Sequence, residues 1–549
     1  MPLSARPGTI VLLIGLSAAA VYAAAAGPPL PVPAADPLMD PRQDPSGASS
    51  SHLPRFEISV SYVANLVHWI DNLSGTSRGK TVRVYRQFWE RRFGFPSPEE
   101  MSLLQEWARI REKELPRREP RILNASGCLP QTEERPSWRQ VFLIRSYEAG
   151  SVEAFVAAMS PDLNDEDRAT LRRVLDAFGP RFDRVWRETE FLSLFEKRFR
   201  SFLDEGGLRR FLGRMASFFG VDPDRHPPGR IHLMALPAES ATHAQADGAH
   251  LQMEIRPNDT PVEQIQVIAH ETAHYLWHLT GPARNDAFAK QVFEATPEGP
   301  VVWSLLREGL PTALGQGLAE ATLAPQRFGE QQRWYHTDDV DRFAKEIFPA
   351  VAEAFRAGRS VDDGVLAEIA RSVERSEIVR AARPSDYLAQ SFFGIGEGMF
   401  VPYRQIRERG RILDSWPSGI SDADGAAFAE RYACLGGVVL LGPANAADAS
   451  SLPAIFAPPG SDGLRAASGA PAAAAAGAPP GSQRSTTRPG PAWPGPTVSS
   501  IVAARRPGGG TIFFLTAART SDIERIGNAF LDLTSVPESP VILAEEPAR

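Results

Sequence analysis

Two histidines and a glutamate lie within five consecutive residues, His270-Glu271-Thr272-Ala273-His274. Residues four apart on an α-helix project from the same face, so the two imidazoles would lie about one turn apart. At that separation their nitrogens can bind one tetrahedral zinc ion at about 2.0–2.1 Å. Glu271 lies roughly 100° around the helix from His270, where its carboxylate can reach a water molecule without binding the metal. The spacing therefore predicts a zinc site with an adjacent general base.

The residues around this pattern have the signals of a helix that spans 261–280. Thr260 and Glu263 have the spacing of a capping box at its start. Gly281 followed by Pro282 predicts its end, because Gly favours a C-terminal cap and Pro cannot continue the helix. Apolar residues recur inside it at helical spacing, so we expect a central helix about 30 Å long.

Strands are predicted just before this helix, and helices further upstream. Two short alternating segments bounded by Pro and Gly, 229–238 and 249–257, are typical of strands. We expect residues 250–255 to form an edge strand that holds an extended peptide by main-chain hydrogen bonds. From 56 to 225 apolar residues recur every three or four positions, which predicts a helical region. His68 in this region is interpreted as a core residue.

The histidine–glutamate pattern, on a capped helix that follows a strand, resembles the active-site helix of the zincin metallopeptidases. The sequence REGLPTA around Glu308 resembles the second helix of the gluzincins, the zincin branch whose third zinc ligand is a glutamate. Over about residues 229–325 the chain looks like one of the uncharacterised exported bacterial gluzincin groups. The resemblance implies that His270, His274 and Glu308 bind one zinc ion and that Glu271 is the general base.

Two departures from the gluzincin pattern leave other glutamates open as the third ligand. Glu308 follows the histidines at a wider spacing than in the best-known members, and Thr312 stands where some members have an aspartate that orients a histidine. Glu294 is the main alternative, because its spacing is close to that of the thermolysin-like enzymes. The remaining candidates are Glu298 and Glu320.

The resemblance also implies a residue that stabilises the developing oxyanion, since gluzincins usually supply a Tyr or His for this role. Four residues downstream are candidates, and the sequence does not distinguish among them: Tyr335, His336, Tyr387 and Tyr403. His278 continues the histidine stripe, but it lies about 12 Å along the helix from His270, too far to share one ion. We interpret it as a surface or supporting residue.

The whole chain has the composition of a soluble globular protein and is long enough for two to four domains. Its 549 residues are 43% hydrophobic and 23% charged, with a formal net charge of −7. Lysine and arginine form no stripe interleaved with aromatic residues, so nucleic acid is not expected as a partner. We predict an α+β, mostly helical fold, with a zincin-like catalytic core that contains a small sheet and an active-site helix.

The N-terminus has the features of a secretory signal peptide over residues 1–26. A short start with Arg6 precedes an apolar segment that ends in alanines and is followed by a Pro-rich sequence. We therefore predict a periplasmic or secreted protein, with an uncleaved membrane anchor as the alternative. In an exported protein Cys128 and Cys434 could form a disulfide, whereas two separate buried thiols fit the sequence as well.

The chain after the signal peptide divides into five predicted segments. They are a disordered linker (27–55), the helical region (56–225), the zincin-like core (226–445), an Ala/Gly/Pro-rich linker (446–497) and a small C-terminal strand–helix segment (498–549). The sequence leaves open whether the last segment docks on the main body or forms an appendage.

These features together predict an exported zinc metallopeptidase that hydrolyses peptide or protein substrates, with one zinc ion as its cofactor. One alternative is a non-catalytic periplasmic binding or scaffold protein that retains a metal-binding helix. Another is a helical interaction protein in which the pattern is coincidental. Contact with a membrane is expected only if the N-terminal segment stays uncleaved, and the sequence leaves the oligomeric state open.

Overall fold

The computed structural model describes residues 54–543 except 78–80, 114–126, 131–135, 205, 238–241, 330–331, 389, 410–413, 421–422, 433, 444–493, 495–497, 506–510, 535 and 538. The predicted signal peptide lies outside the described residues, and so do nearly all of the two predicted linkers. Among the helices that are described, none has both the length and the apolar character needed to span a membrane.

Helices predominate, and the strands form two sheets, so the predicted α+β, mostly helical fold is confirmed. The helices are α1 (Tyr62–Ser74), α2 (Val82–Phe93), α3 (Pro98–Arg111), α4 (Trp138–Glu148), α5 (Val152–Met159), α6 (Asp165–Trp186), α7 (Glu190–Asp204), α8 (Gly206–Phe218), α9 (Ile265–Leu279), α10 (Gly281–Ala295), α11 (Gly299–Thr312), α12 (Glu320–Leu323), α13 (Asp338–Arg356), α14 (Val365–Val373), α15 (Glu377–Arg380), α16 (Phe400–Arg409), α17 (Ala423–Arg431) and α18 (Ile523–Leu531). The strands are β1 (Phe56–Ser59), β2 (Gly229–Ala235), β3 (Ala244–Asp247), β4 (His250–Ile255), β5 (Gln390–Ile395), β6 (Asp414–Gly419), β7 (Gly436–Leu441), β8 (Ser500–Arg505), β9 (Thr511–Thr516) and β10 (Val541–Ile542).

The first sheet has the strand order β1-β2-β4-β3. Strands β1, β2 and β4 are parallel, and β3 runs antiparallel to β4. The prediction that 250–255 forms the edge strand is wrong, because β4 lies between β2 and β3. The edge strands are β1 and β3. Strand β3, whose sequence AQAD has little strand propensity, is the edge next to β4. It pairs with β4 through a tight turn at Gly248, where φ is +61° and glycine is favoured.

The region predicted as helical from 56 to 225 begins with a strand. In β1, Phe56 pairs with Gly229 and Ile58 with Ile231 of the neighbouring strand. A four-residue strand is too short for its alternation to be told from a helix end. The rest of this region is helical, and Ser97 caps α3 with the side-chain and backbone hydrogen bonds of a capping box.

The two faces of the first sheet are covered by different helices. On one face, Tyr275 of α9 packs against Phe56, with ring centroids 6.2 Å apart. On the other face, α1 and α4 contribute hydrogen bonds to buried polar side chains. His68 is bonded to Glu254 over 2.9 Å, and Tyr147 donates to Gln252 over 2.9 Å. His68 is therefore a buried core residue, as predicted, and its polar atoms are paired.

The second sheet has the strand order β10-β8-β9-β7-β5-β6 and joins the predicted core to the C-terminal segment, whose docking the sequence left open. Strand β9 of the C-terminal segment lies parallel to β7, which precedes the predicted linker. Both strands are buried along their whole length. The C-terminal segment therefore docks on the body of the protein, and a core boundary at 445 would divide one sheet.

A disulfide joins Cys128 to Cys434 across 306 positions of sequence, with the two Cα atoms 4.8 Å apart. It connects the helical region with the residues just before β7. The backbone N–H of Leu129 also donates to the Asp286 carboxylate of α10 over 2.7 Å. The cysteines are thus paired, which the sequence had left open.

Candidate metal centre

Helix α9 carries the histidine–glutamate pattern and agrees closely with the predicted helix. A turn of 3-10 helix over Pro261–Gln264 precedes it, and the Glu263 carboxylate accepts the Thr260 backbone N–H over 2.8 Å, as the predicted capping box requires. At the other end Gly281 has φ +75°, which starts a new helix in a different direction. Both ends of α9 thus lie close to the residues that the sequence predicted.

The three side chains of the predicted ligand set, His270, His274 and Glu308, converge at one point and are called the triad below. The Nε2 atoms of His270 and His274 are 3.1 Å apart. Oε2 of Glu308, on α11, lies 3.6 Å from the first of these atoms and 3.4 Å from the second. Ligands about 2.0–2.1 Å from a tetrahedral zinc ion are separated from one another by about 3.3 Å. The spacing of the three donor atoms fits a shared ion.

Hydrogen bonds account less well for the two distances to Glu308, whereas the 3.1 Å between the imidazole nitrogens lies within hydrogen-bond range. Both separations from Glu308 exceed the usual 2.7–3.2 Å range of an N–H···O bond. Burial raises the pKa of Glu308, but the two imidazoles lower it more, so its carboxylate is held in the ionised form that binds cations. Two imidazoles and one carboxylate form a donor set suited to zinc.

The alternative third ligands lie elsewhere. Glu294 is 64% exposed on α10 and pairs with Lys290 at 3.8 Å. Glu298 accepts a hydrogen bond from Thr296, and Glu320 pairs with Arg327 at 3.5 Å. Within the described residues, the histidine pair with Glu308 is the one group of this kind that could hold a metal ion.

A glutamine that the sequence did not indicate lies behind the first histidine. Oε1 of Gln316 is 3.3 Å from Nδ1 of His270, so it can accept a proton carried by Nδ1. Nε2 of His270 is then left without a proton and faces the other two side chains of the triad. Gln316 belongs to a π-helical segment, Ala313–Ala319, that continues α11. Such segments are rare and cannot be read from apolar periodicity, although they are frequent at functional sites.

A glycine allows this π-helical segment to contact α9. A Cβ atom at Gly315 would lie 2.6 Å from the carbonyl oxygen of Gln266 and 2.9 Å from the backbone nitrogen of His270. Any larger residue would therefore push the two helices apart at the first histidine. The close approach sets the distance between the histidine pair and the segment that bears Glu308 and Gln316.

Glu271 is buried beside the triad but is not a member of it. It is 5% exposed, and its Oε2 atom has no hydrogen-bond partner among the described residues. Burial raises the pKa of Glu271 to about 7, with a smaller opposite effect from His270 and further increases from the charges of Glu308 and Asp247. A cation in the triad would favour the ionised carboxylate. Such a group is suited to exchange protons rather than to bind the ion.

Among the four candidates for oxyanion stabilisation, Tyr335 contacts the triad. Its hydroxyl donates to Oε2 of Glu308 over 3.0 Å, and its ring lies nearly parallel to that of His270. The Asp341 carboxylate accepts its backbone N–H and fixes the loop. Burial and the charge of Glu308 raise the pKa of Tyr335 well above its usual value, so the hydroxyl keeps its proton.

The other predicted residues lie away from the three donor atoms. His336 is next to Tyr335, with ring centroids 4.4 Å apart. Tyr403 packs against Phe393 of the second sheet, and Tyr387 is buried in the same part of the molecule. His278 is exposed on α9, near the turn between β3 and β4.

Comparisons of the chain with known protein families, with curated proteins and with solved structures find no match. The geometry of the donor atoms and their surroundings is therefore the evidence for a metal site.

Proposed function

We propose that the protein is a zinc-dependent metallopeptidase with a zincin-like core. His270, His274 and Glu308 would bind one zinc ion, and Glu271 would act as the general base. The convergence of three donor atoms at 3.1–3.6 Å beside a buried carboxylate that is not one of them carries the proposal. A small sheet and a capped helix support it, because this layout resembles that of gluzincins.

The residues have separate roles in the proposed hydrolysis. Zinc, when bound, supplies Lewis acidity that activates water and polarises the peptide carbonyl. Glu271 accepts the proton of the attacking water and donates it to the leaving amine. Tyr335 keeps its proton, and its hydroxyl, which contacts Glu308, would donate a hydrogen bond to the oxyanion.

Strand β3 is the proposed binding edge for the peptide. It is one of the two edge strands of the first sheet and packs against α9, which bears the histidines. The side of β3 that faces away from β4 can offer main-chain N–H and C=O groups to an extended peptide. An edge next to the proposed base would place a peptide bond near Glu271.

We further propose that the protein is periplasmic or secreted. The signal-peptide features of residues 1–26 and the disulfide Cys128–Cys434 support this location, because structural disulfides persist in oxidising compartments. The alternative of a non-catalytic scaffold gives no reason for a buried glutamate beside the three donor atoms whose Oε2 has no hydrogen-bond partner among the described residues, since desolvating a carboxylate costs free energy.

Removal of the metal tests the proposed function. Protein treated with a chelator and freed of metal should hydrolyse an unstructured protein substrate at background rate, and one equivalent of zinc should restore the activity. The chelated protein should still show its folded circular dichroism spectrum. Activity that persists without metal, or no hydrolysis by the zinc-loaded protein, would contradict the proposal.

The role of Gln316 gives a second test of the centre. Gln316→Ala should weaken zinc binding by about 10- to 100-fold, because the His270 ring loses the acceptor that orients it. Competition with a coloured chelator measures this affinity. Gln326→Ala is the matched control, since Gln326 is exposed beyond α12. Equal affinities in the two variants would rule out the orienting role.

A further inference from the structure

Asp247 is the last residue of the edge strand β3 and lies next to the proposed peptide-binding edge. Gly248 follows it in the turn to β4, and this turn lies against α9. A Cβ atom at Gly248 would be 3.4 Å from Nε2 of His278, one helical turn beyond His274. Strand β3, which ends at Asp247, packs against α9, the helix of the proposed base.

Two neutral amides hold the Asp247 carboxylate. Gln140 of α4 donates to Oδ1 over 3.3 Å, and Gln245 of the same strand donates to Oδ2 over 3.1 Å. Among the described residues no lysine or arginine forms an ion pair with it. The side chain is partly buried, and burial raises its pKa. The carboxylate is thus oriented by its neighbours, and among the described residues no cation is in direct contact with it.

Among the described residues the fully buried aspartates, unlike the partly buried Asp247, are each paired with a cation. These pairs are Asp71 with Arg111 at 2.7 Å, Asp167 with Lys113 at 2.9 Å, Asp259 with Arg256 at 2.6 Å, Asp341 with Lys345 at 2.9 Å and Asp522 with Arg525 at 2.7 Å. The charges of Arg111 and Arg139 act on Asp247 from a distance, but Arg111 pairs with Asp71 and Arg139 donates to the Thr76 carbonyl. A partly buried carboxylate that neutral amides orient can accept a charge-assisted hydrogen bond from a cationic ligand.

We propose that Asp247 binds a cationic group of the peptide substrate. This inference rests on the proposed function, because the cation arrives on a peptide paired with β3. An extended peptide has a fixed register on such an edge, so its amino terminus or one side chain would reach the end of the strand. The ligand is an ammonium or guanidinium group, either the α-amino group or a lysine or arginine side chain. Both sources satisfy the same carboxylate.

The test uses the zinc-loaded, full-length protein and two series of peptides. One series compares peptides with free and acetylated amino termini. The other compares lysine with norleucine, which has the same chain without the ammonium, at each position near the cleaved bond. Wild-type protein should prefer the cationic member of one series, and that series identifies the source.

Asp247→Asn should lower kcat/KM for the preferred cationic peptide by about 10- to 100-fold, mainly through KM, because a hydrogen bond to a charged group is lost. The decrease should be smaller for neutral peptides, because a change in the pKa of Glu271 would affect both kinds of peptide equally. Asp247→Glu should keep the preference, and Asp176→Asn, at an exposed aspartate of α6, is the control for the change in charge. Zinc content and the melting temperature confirm that each variant is folded.

An equal effect of Asp247→Asn on cationic and neutral peptides, or no effect on either, would overturn the inference and leave the proposed function intact. A wild-type protein that hydrolyses neutral and cationic peptides equally would overturn it as well. If the zinc-loaded wild-type protein hydrolyses no peptide in either series, the proposed function itself fails and this inference fails with it.

Discussion

Glu271→Gln is expected to keep its zinc and to lose peptide hydrolysis by about 10²- to 10⁴-fold. Glutamine has nearly the same shape, but its amide cannot accept the proton of the attacking water. Glu271 is outside the set of three converging donor atoms, so its replacement should leave zinc binding nearly unchanged. The decrease should appear in kcat, because the lost interaction acts in the transition state.

Glu320→Gln is the matched control for this substitution. Glu320 is also buried, burial also raises its pKa, and its nearest cation is Arg327 rather than a histidine of the site. Its substitution should leave kcat within about 2-fold of the wild-type value, as expected for a residue outside the reaction. Full activity in Glu271→Gln, or loss of zinc from it, would refute the role of general base.

Glu308→Ala is expected to weaken zinc binding by more than about 100-fold. This loss is larger than the usual effect of substituting a residue that only hydrogen-bonds to a metal ligand. The substitution removes one of three donor atoms and leaves two imidazoles that cannot complete the site. Peptide hydrolysis should fall to background at zinc concentrations that saturate the wild-type protein. Chelator competition and the zinc content after gel filtration give the affinity.

Glu294→Ala is the control that separates the two candidate ligands considered from the sequence. Its carboxylate is exposed and pairs with Lys290, so we expect unchanged zinc affinity and activity. If Glu294→Ala loses the metal and Glu308→Ala retains it, the third ligand has been assigned to the wrong helix.

The parts of the site that follow from local periodicity could be predicted from the sequence. Helix geometry alone brings His270 and His274 to one face and turns Glu271 away from it. The first and last residues of α9 could also be predicted, because capping depends on residues that are close in the sequence. The convergence of Glu308 on these residues was implied by a resemblance, and its geometry appears only when α9 and α11 pack together.

Other parts depend on tertiary contacts that no local pattern encodes. Gln316 reaches His270 because the helix changes to π geometry after α11, and Tyr335 is selected among four candidates by a loop that Asp341 holds. The edge strand β3 has a weak strand sequence and forms because β4 and the turn at Gly248 support it. This pairing is local, and the Asp247-Gly248 turn is the signal that could have predicted it, although the weak strand sequence of β3 obscured it.

The second sheet could not be predicted either, because it depends on contacts between segments that are far apart in the sequence. Its neighbouring strands β7 and β9 belong to segments that are separated by a long Ala/Gly/Pro-rich stretch. Each could be recognised as an apolar strand, but pairing between distant segments depends on the fold as a whole. The disulfide partner of Cys128 likewise becomes evident only when Cys434 lies beside it.

Zinc K-edge X-ray absorption of the purified protein tests the central claim most directly. We predict one zinc ion per chain, bound by two imidazole nitrogens and by oxygen at about 2.0–2.1 Å, with no sulfur ligand. The imidazole signal should diminish in His274→Ala. A protein that binds no zinc at equimolar concentration, or a spectrum without imidazole scattering, would contradict the proposed centre.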